Sequence, residues 1–363
     1  MTFHKYIILS TLIFLFACNS NKKIAQNNAA KEELAIKSDE AIVGEALEED
    51  MVENKKAVTE KSEEVIGNQE KDETAVSKTS SSDSDFQELE NALLWEITSD
   101  DLEQTSYLYG TIHMIDADKF FWPDHTMEAF EASEKVAFEI DLDDMFNMGA
   151  MFGMIGKMMM KDGKTLKDIL DDEEYELVNN HFKDIGLPMM MLERVKPMFL
   201  SVFAEGGIEP GGSMESSGMA SYEMVLYEKA QEKEFEVMGL ETMDDQIAIF
   251  DEIPYEEQAD MLIETIKSSD GSSDQMDELV NMYLTQNINQ MVQTVTEEDS
   301  EYKDFEDLIL NNRNRNWIPH MANMMKEAPT FFAVGAGHLG GPEGVINLLR
   351  AEGYTLKPLS EAK

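Results

Sequence analysis

Cysteine is almost missing from this sequence. Cys18 is the only one in 363 residues, so no intramolecular disulfide can form and no cluster of cysteines can hold a metal. Basic residues are scarce too, 29 against 74 acidic ones, which gives a formal net charge of −45. Phosphate backbones are held by clustered Lys and Arg, so this deficit speaks against nucleic acid as a partner. It speaks equally against adsorption of the protein surface to anionic lipid. Aromatic residues are absent from Asn19 to Asp85, where blocks such as EALEEDMVENKK and KTSSSDSD prevail. Such a stretch buries too little apolar surface to offset its chain entropy. The apolar segment at the start, Tyr6 to Phe16, falls short of the ~20 residues of a bilayer span.

What is present at the N-terminus is a basic start at Lys5, that short apolar segment, and then Leu15-Phe16-Ala17-Cys18. This resembles a bacterial lipoprotein signal, in which the cysteine is lipidated and becomes the mature N-terminus. Three parts are expected: residues 1–18 as signal peptide with Cys18 as the lipidation site, 19–85 as a disordered acidic tether, and 86–363 as the folded domain. Membrane attachment then comes from the lipid anchor alone. Asn19 stands where an aspartate is associated with inner-membrane retention in some bacteria, so the expected location is the outer membrane, facing the periplasm or the outside.

Hydrophobic patterning resumes at Leu93. LLWEIT and SYLYGTIH read as strands, WPDHTMEAFEASE as a helix, and KVAFEIDL as a strand again, which suggests a parallel βαβ unit. The middle, from Met145 to Met325, is mainly helical, interrupted by a glycine-rich loop from Gly206 to Gly218 and by the strand EFEVMGLET. The end repeats the logic of the beginning: strand TFFAV, a glycine loop with His338, a helix from Pro342 to Glu352, and the short strand YTLKPL. The fold class is α/β, two α/β halves with a helical insertion between them.

Two of these strands end in Gly-x-x-His, Gly110 with His113 and Gly335 with His338. Glycine permits a sharp turn and a close ligand approach, and a neutral imidazole serves as a metal ligand or an acid–base group. Two more strand ends carry carboxylates, Glu139 and Glu241. If the four strands are parallel neighbours, these side chains meet at one sheet edge, the usual place for a site in such folds. Two imidazoles with a carboxylate suit Zn, Mn, Fe or Co and leave a coordination position open. The second carboxylate then acts as general base or orients a histidine. The alternative is that both carboxylates merely cap neighbouring helices, a reading that suits Glu241 better than Glu139. NRNRNW adds Arg313 and Arg315, either a stabiliser of developing negative charge, with Arg313 first, or surface arginines paired with nearby acids.

Other patterns lead nowhere. KDGKT lacks the earlier glycine of a phosphate loop, GGSMESSG lacks the serine-hydrolase elbow, and His-Glu-x-x-His does not occur. His125, His181 and His320 read as surface or packing residues. The methionines of MFNMGAMFGMIGKMMM and PMMML read first as core, second as an adaptable groove, and last as a Cu(I) site.

From Leu93 to the C-terminus the chain resembles the TraB/PrgY/GumN family, which includes the Tiki proteases, through YGTIH, AFEID, GLET, NRNRNW, FFAVGAGHLGG and GVINLLRAEGY. The resemblance implies an erythromycin esterase/ChaN-like α/β fold. It places the family's paired histidines on His113 and His338 and its early acidic residue on Glu139, as ligands of a divalent metal, Mn, Co or Zn. Glu241 and Arg313 remain to assist catalysis. The implied activity is that of a metal-dependent hydrolase, a peptidase acting on a peptide or protein substrate. The alternative, through the ChaN-like resemblance, is a non-catalytic haem- or metal-binding lipoprotein.

Overall fold

The structure, a computed structural model, describes residues 88–145, 148–204, 218–269, 273–296 and 305–359. Cys18, the 19–85 stretch and the glycine-rich loop short of Gly218 lie outside the described residues.

In chain order the strands are β1 (Leu94–Thr98), β2 (Ser106–Thr111), β3 (Met114–Asp116), β4 (Lys135–Ile140), β5 (Met219–Ser221), β6 (Glu236–Glu241), β7 (Thr330–Gly335) and β8 (Thr355–Pro358). The helices that matter for the site are α1 (Thr126–Glu131), α2 (Leu142–Met145), α3 (Tyr222–Glu232), α4 (Met243–Glu252), α5 (Asn312–Glu327) and α6 (Val345–Ala351). Among the described residues no helix is long and apolar enough to cross a membrane.

Six strands form one mixed sheet in the order β6-β4-β7-β2-β1-β8. β6, β4, β7 and β2 run parallel, while β1 is antiparallel to both of its neighbours. The class is α/β, and the two halves are not separate units. β7, from the end of the chain, lies between β2 and β4 from its beginning. Accordingly β2, α1 and β4 are a parallel crossover that skips one strand rather than pairing its own two.

All six residues of β7 are buried, which requires cover on both faces of the sheet. Phe331 and Phe332 lie at its middle, with Phe130 of α1 in edge-to-face contact with Phe331. The register places Thr111 beside Gly335, and Ile140 beside Glu241. Four C-terminal strand ends therefore share one edge. A separate ribbon pairs β3 with β5, Met114 opposite Ser221, and so ties the turn after β2 to the start of α3.

Gly239 in β6 is there because backbone crowds it. A Cβ at that position would meet the backbone nitrogen of Asp141 and lie 2.8 Å from the Glu241 carbonyl oxygen and 2.9 Å from the Ile140 carbonyl carbon. Gly239→Ala must push β6 off the end of β4, an overpacking cost of about 1–3 kcal/mol. Urea denaturation should show that loss; an unchanged midpoint would mean that the strand end yields freely.

The methionine-rich stretches are mostly core. Met145, Met154, Met158, Met160 and Met189 are buried, whereas Met190 and Met191 stand in solvent.

Candidate active site

Each of the four strand ends delivers its residue. β2 ends at Thr111, and His113 follows with φ 34, the left-handed backbone that a non-glycine residue adopts at a cost and that recurs at functional sites. Glu139 is the fifth residue of β4, Glu241 the last of β6, and His338 closes a short 3-10 turn after β7. Arg313 comes from the first turn of α5, directly after a π-helical turn, Asp307–Asn311, whose Ile309 carbonyl accepts from Arg313 Nη1 at 3.1 Å.

The atoms converge around Gly335. Glu139 Oε1 lies 3.9 Å from His113 Nε2 and 3.8 Å from His338 Nε2, and it accepts the backbone N–H of Gly335 at 2.9 Å. A Cβ on Gly335 would stand 3.2 Å from Glu139 Oε1, 3.4 Å from His113 Nε2 and 3.6 Å from His338 Cδ2. All are almost closed to solvent: His113 and Arg313 are 7% exposed, Glu139 and His338 5%.

Each imidazole is held from behind. His113 Nδ1 meets Glu223 Oε1 at 2.7 Å, and that carboxylate also accepts from Thr111 Oγ1 at 2.5 Å and, through Oε2, from Ser221 Oγ at 3.1 Å. His338 Nδ1 meets Asn314 Oδ1 at 2.6 Å. Since Arg313 Nη1 donates to His338 Nε2 at 3.1 Å, His338 carries its proton on Nδ1. The environments set the charges. Burial first, and Arg313 second, push His338 down to about 3, so it is neutral. Burial opposes charge on His113 as well, but Glu223 and then Glu139 outweigh it and raise its pKa. Burial would likewise lift Glu139, yet Arg313 above all, with His113 and the Gly335 N–H, holds it well below the carboxylate range.

Arg313 ties the two carboxylates together. Its Nη2 donates to Glu139 Oε2 at 2.5 Å and to Glu241 Oε1 at 2.6 Å, and Nε adds 3.0 Å and 3.2 Å contacts to Glu241. Trp317 Nε1 donates to Glu241 Oε2 at 3.1 Å, and its ring lies under the guanidinium. Both oxygens of Glu241 are thus committed. Arg315, two residues on, points outward to Glu343 at 2.6 Å.

His113, Glu139 and His338 are residues of the types that bind divalent cations. Glu139 Oε1 lies within 4 Å of the Nε2 atoms of both histidines, and of these His338 is the one held neutral. Each histidine has its other nitrogen anchored, the usual second support of a metal ligand. Among the described residues, however, no group of three or more His, Cys, Asp or Glu side chains is arranged to hold a metal ion. The physical reason is visible: Arg313 occupies the lone pair of His338 and supplies the positive charge itself.

Residues 93–358 match the TraB/PrgY/gumN family. The chain belongs to that family. Among curated relatives it is similar to Metalloprotease TIKI1 of Danio rerio, 22% identical over 318 residues that cover 74% of this chain and 63% of the relative. Metalloprotease TIKI1 of Homo sapiens is also 22% identical, over 321 residues, 74% of this chain and 62% of the relative. Metalloprotease TIKI2 of Xenopus tropicalis is 22% identical over 321 residues, 74% and 60%. The chain spans about three-fifths of the length of these relatives. No solved structure matches it.

Sequence patterns brought His113, Glu139, Glu241, Arg313 and His338 to one place, and the structure puts them there. They missed Glu223 and Asn314, the two supports behind the histidines. The remaining histidines lie elsewhere. His125 is half exposed beside Glu128, and His181 stacks edge-on with Phe182. His320 is neither a core residue nor part of the cluster, but lines a cavity beside β6.

Proposed function

We propose that this family member is a metal-dependent hydrolase of peptide bonds, held outside the cytoplasm by a lipid on Cys18, most simply at the outer membrane. The observation that carries the reading is the approach of two imidazoles to one buried carboxylate, His113 Nε2 at 3.9 Å and His338 Nε2 at 3.8 Å from Glu139 Oε1. The relatives' name, metalloprotease, supports it.

His113, His338 and Glu139 would hold the metal, of Mn, Co or Zn type. A bound divalent cation supplies Lewis acidity, polarising a carbonyl oxygen and easing deprotonation of water. The chain's own groups do the rest. Glu223 and Asn314 keep the imidazole Nε2 atoms aimed inward, and the Gly335 N–H holds Glu139 Oε1 beside them. Arg313 sits beside these groups with its N–H donors committed to Ile309, His338, Glu139 and Glu241, so it would stabilise negative charge developing on a carbonyl oxygen by exchanging its contact to His338 for one to the substrate. Glu241 and Trp317 fix the plane of that guanidinium, so Glu241 acts as a positioning residue rather than a free base. Burial keeps bulk water out and strengthens each of these interactions.

A haem-binding role fits less well. The cavity beside the cluster is lined by Asp141, Asp144, Glu236, Asp245 and Glu252, an unsuitable bed for a flat apolar ring with anionic arms.

Calorimetric titration of Mn, Co and Zn into the chelator-treated protein tests the reading, together with cleavage of a mixed peptide library. His113→Ala and His338→Ala should each weaken metal binding by at least about 100-fold, since loss of an outer support alone costs 10–100-fold. The double variant should be little worse than either single one, because ligands of one ion act as a unit. Full affinity in the double variant would return both histidines to structural roles.

A further inference from the structure

β6 is the last strand of the sheet. β4 pairs with one side of it, and no described strand pairs with the other. Beside it lies a cavity of about 1010 Å³, lined by every residue from Glu236 to Thr242. Successive side chains of a strand point to opposite faces, so a cavity that touches all of them runs along the strand's edge and not over one face. The volume is at or above the top of the roughly 300–1,000 Å³ range of small-molecule pockets. A stretch of this length in extended form covers about 23 Å at ~3.3 Å per residue. Size and shape together suit a polymer lying straight.

The charge of the cavity selects among polymers. Asp141, Asp144, Glu236, Asp245 and Glu252 line it. Facing them are Arg313, already paired with Glu139 and Glu241, and His320, while Lys135 covers Glu236 from β4 at 3.0 Å. At the C-terminal end of the strand the cavity reaches Glu241 and Arg313, the near wall of the candidate active site.

We propose that the free edge of β6 docks an extended cationic peptide segment, which joins the sheet as an added strand and carries its far end to Arg313. Main-chain hydrogen bonds to the edge provide affinity without reading sequence, and the carboxylates select for Lys and Arg side chains. The inference rests on the hydrolase reading for the fate of the segment, and not for its binding.

The test uses the whole chain in chelator and a fluorescein-labelled peptide of about seven residues with lysine and valine alternating, followed by fluorescence polarisation. Two further peptides carry N-methyl groups on alternate amides, one on the odd and one on the even positions. In strand addition only one set of amides faces the edge, so one methylated peptide should bind at least about tenfold more weakly, the equivalent of one or two net hydrogen bonds, while the other binds like the parent. The exposed pair Asp144→Asn with Glu252→Gln should weaken the lysine peptide severalfold and flatten its salt dependence. Equal binding by both methylated peptides, or an unchanged affinity in the neutralised variant, overturns the proposal. Frame-dependent binding without cleavage under any divalent metal would sink the hydrolase reading and leave this one standing. Cleavage of peptides regardless of frame or charge would do the reverse.

Discussion

Arg313→Met is expected to lower the stability of the fold by ~3–5 kcal/mol at neutral pH, the cost of leaving buried carboxylates without their cation. Glu139 and Glu241 both lean on this guanidinium, with side chains only 6% and 9% exposed. The sign of the pH dependence follows from Glu139. Its burial opposes the charged form, and Arg313 is the largest of the groups that hold its pKa down in the native state. A depressed carboxylate contributes stability above its unfolded pKa, about 4.5, and loses it as the pH falls toward the native value. Without Arg313 the burial is unopposed from that side, and protonation relieves it. The gap in stability between parent and variant should therefore be widest above about pH 5 and narrow toward pH 4. Guanidinium unfolding at the two pH values measures this; a gap that ignores pH would show that the loss is one of packing. The variant should also gain more than the parent in melting temperature when Mn or Co is added, because His338 Nε2 is then free to bind a cation.

Gly335→Ala should abolish metal binding, by at least about 100-fold, while the fold survives. The backbone there, φ −54 and ψ 134, is open to any residue, so alanine meets no conformational penalty. Its methyl group would sit 3.2 Å from Glu139 Oε1 and 3.4 Å from His113 Nε2, in the space that a shared ion needs. Circular dichroism and a thermal melt should resemble those of the parent, while calorimetry shows no saturable uptake of Mn, Co or Zn and peptide cleavage disappears. Parental metal affinity in this variant would place the ion elsewhere and undo the assignment of the three ligands.

Much of this site is visible in the chain before folding, because its signals are local. An apolar run that stops at glycine, followed within three residues by histidine, announces a strand end, and it does so at both His113 and His338. Glu139 and Glu241 are legible in the same way. Arg313 can be separated from Arg315 only by helical phase. Arg313, Asn314 and Trp317 are buried on the side of α5 that faces Glu241 and His338, while Arg315 turns to Glu343 in solvent. Glu223 carries no such mark. In sequence it is an acid in the first turn of a helix capped by Ser221, an ordinary arrangement favoured by the helix dipole. Only the ribbon between β3 and β5, which joins Met114 to a residue more than a hundred positions away, brings it behind His113. Strand order is hidden for a similar reason. Local rules pair a strand with its successor in a βαβ unit, and they hold no information about a strand from the far end of the chain that comes to lie between the two.

That intercalated strand has a consequence for the time course of folding. β2 and β4 flank β7, so the middle of the sheet cannot close while the chain is still being made. Until residues 330–335 have emerged, β2 and β4 have no native neighbour between them, and their apolar faces must wait until nearly the whole domain has been made. Contacts of such long range slow folding and expose partly formed sheets. They also delay the candidate site: His113 and Glu139 are made early, but their meeting place at Gly335 comes into being with the last fraction of the domain. An incomplete chain can therefore carry most of the candidate site residues and still have nowhere for them to meet.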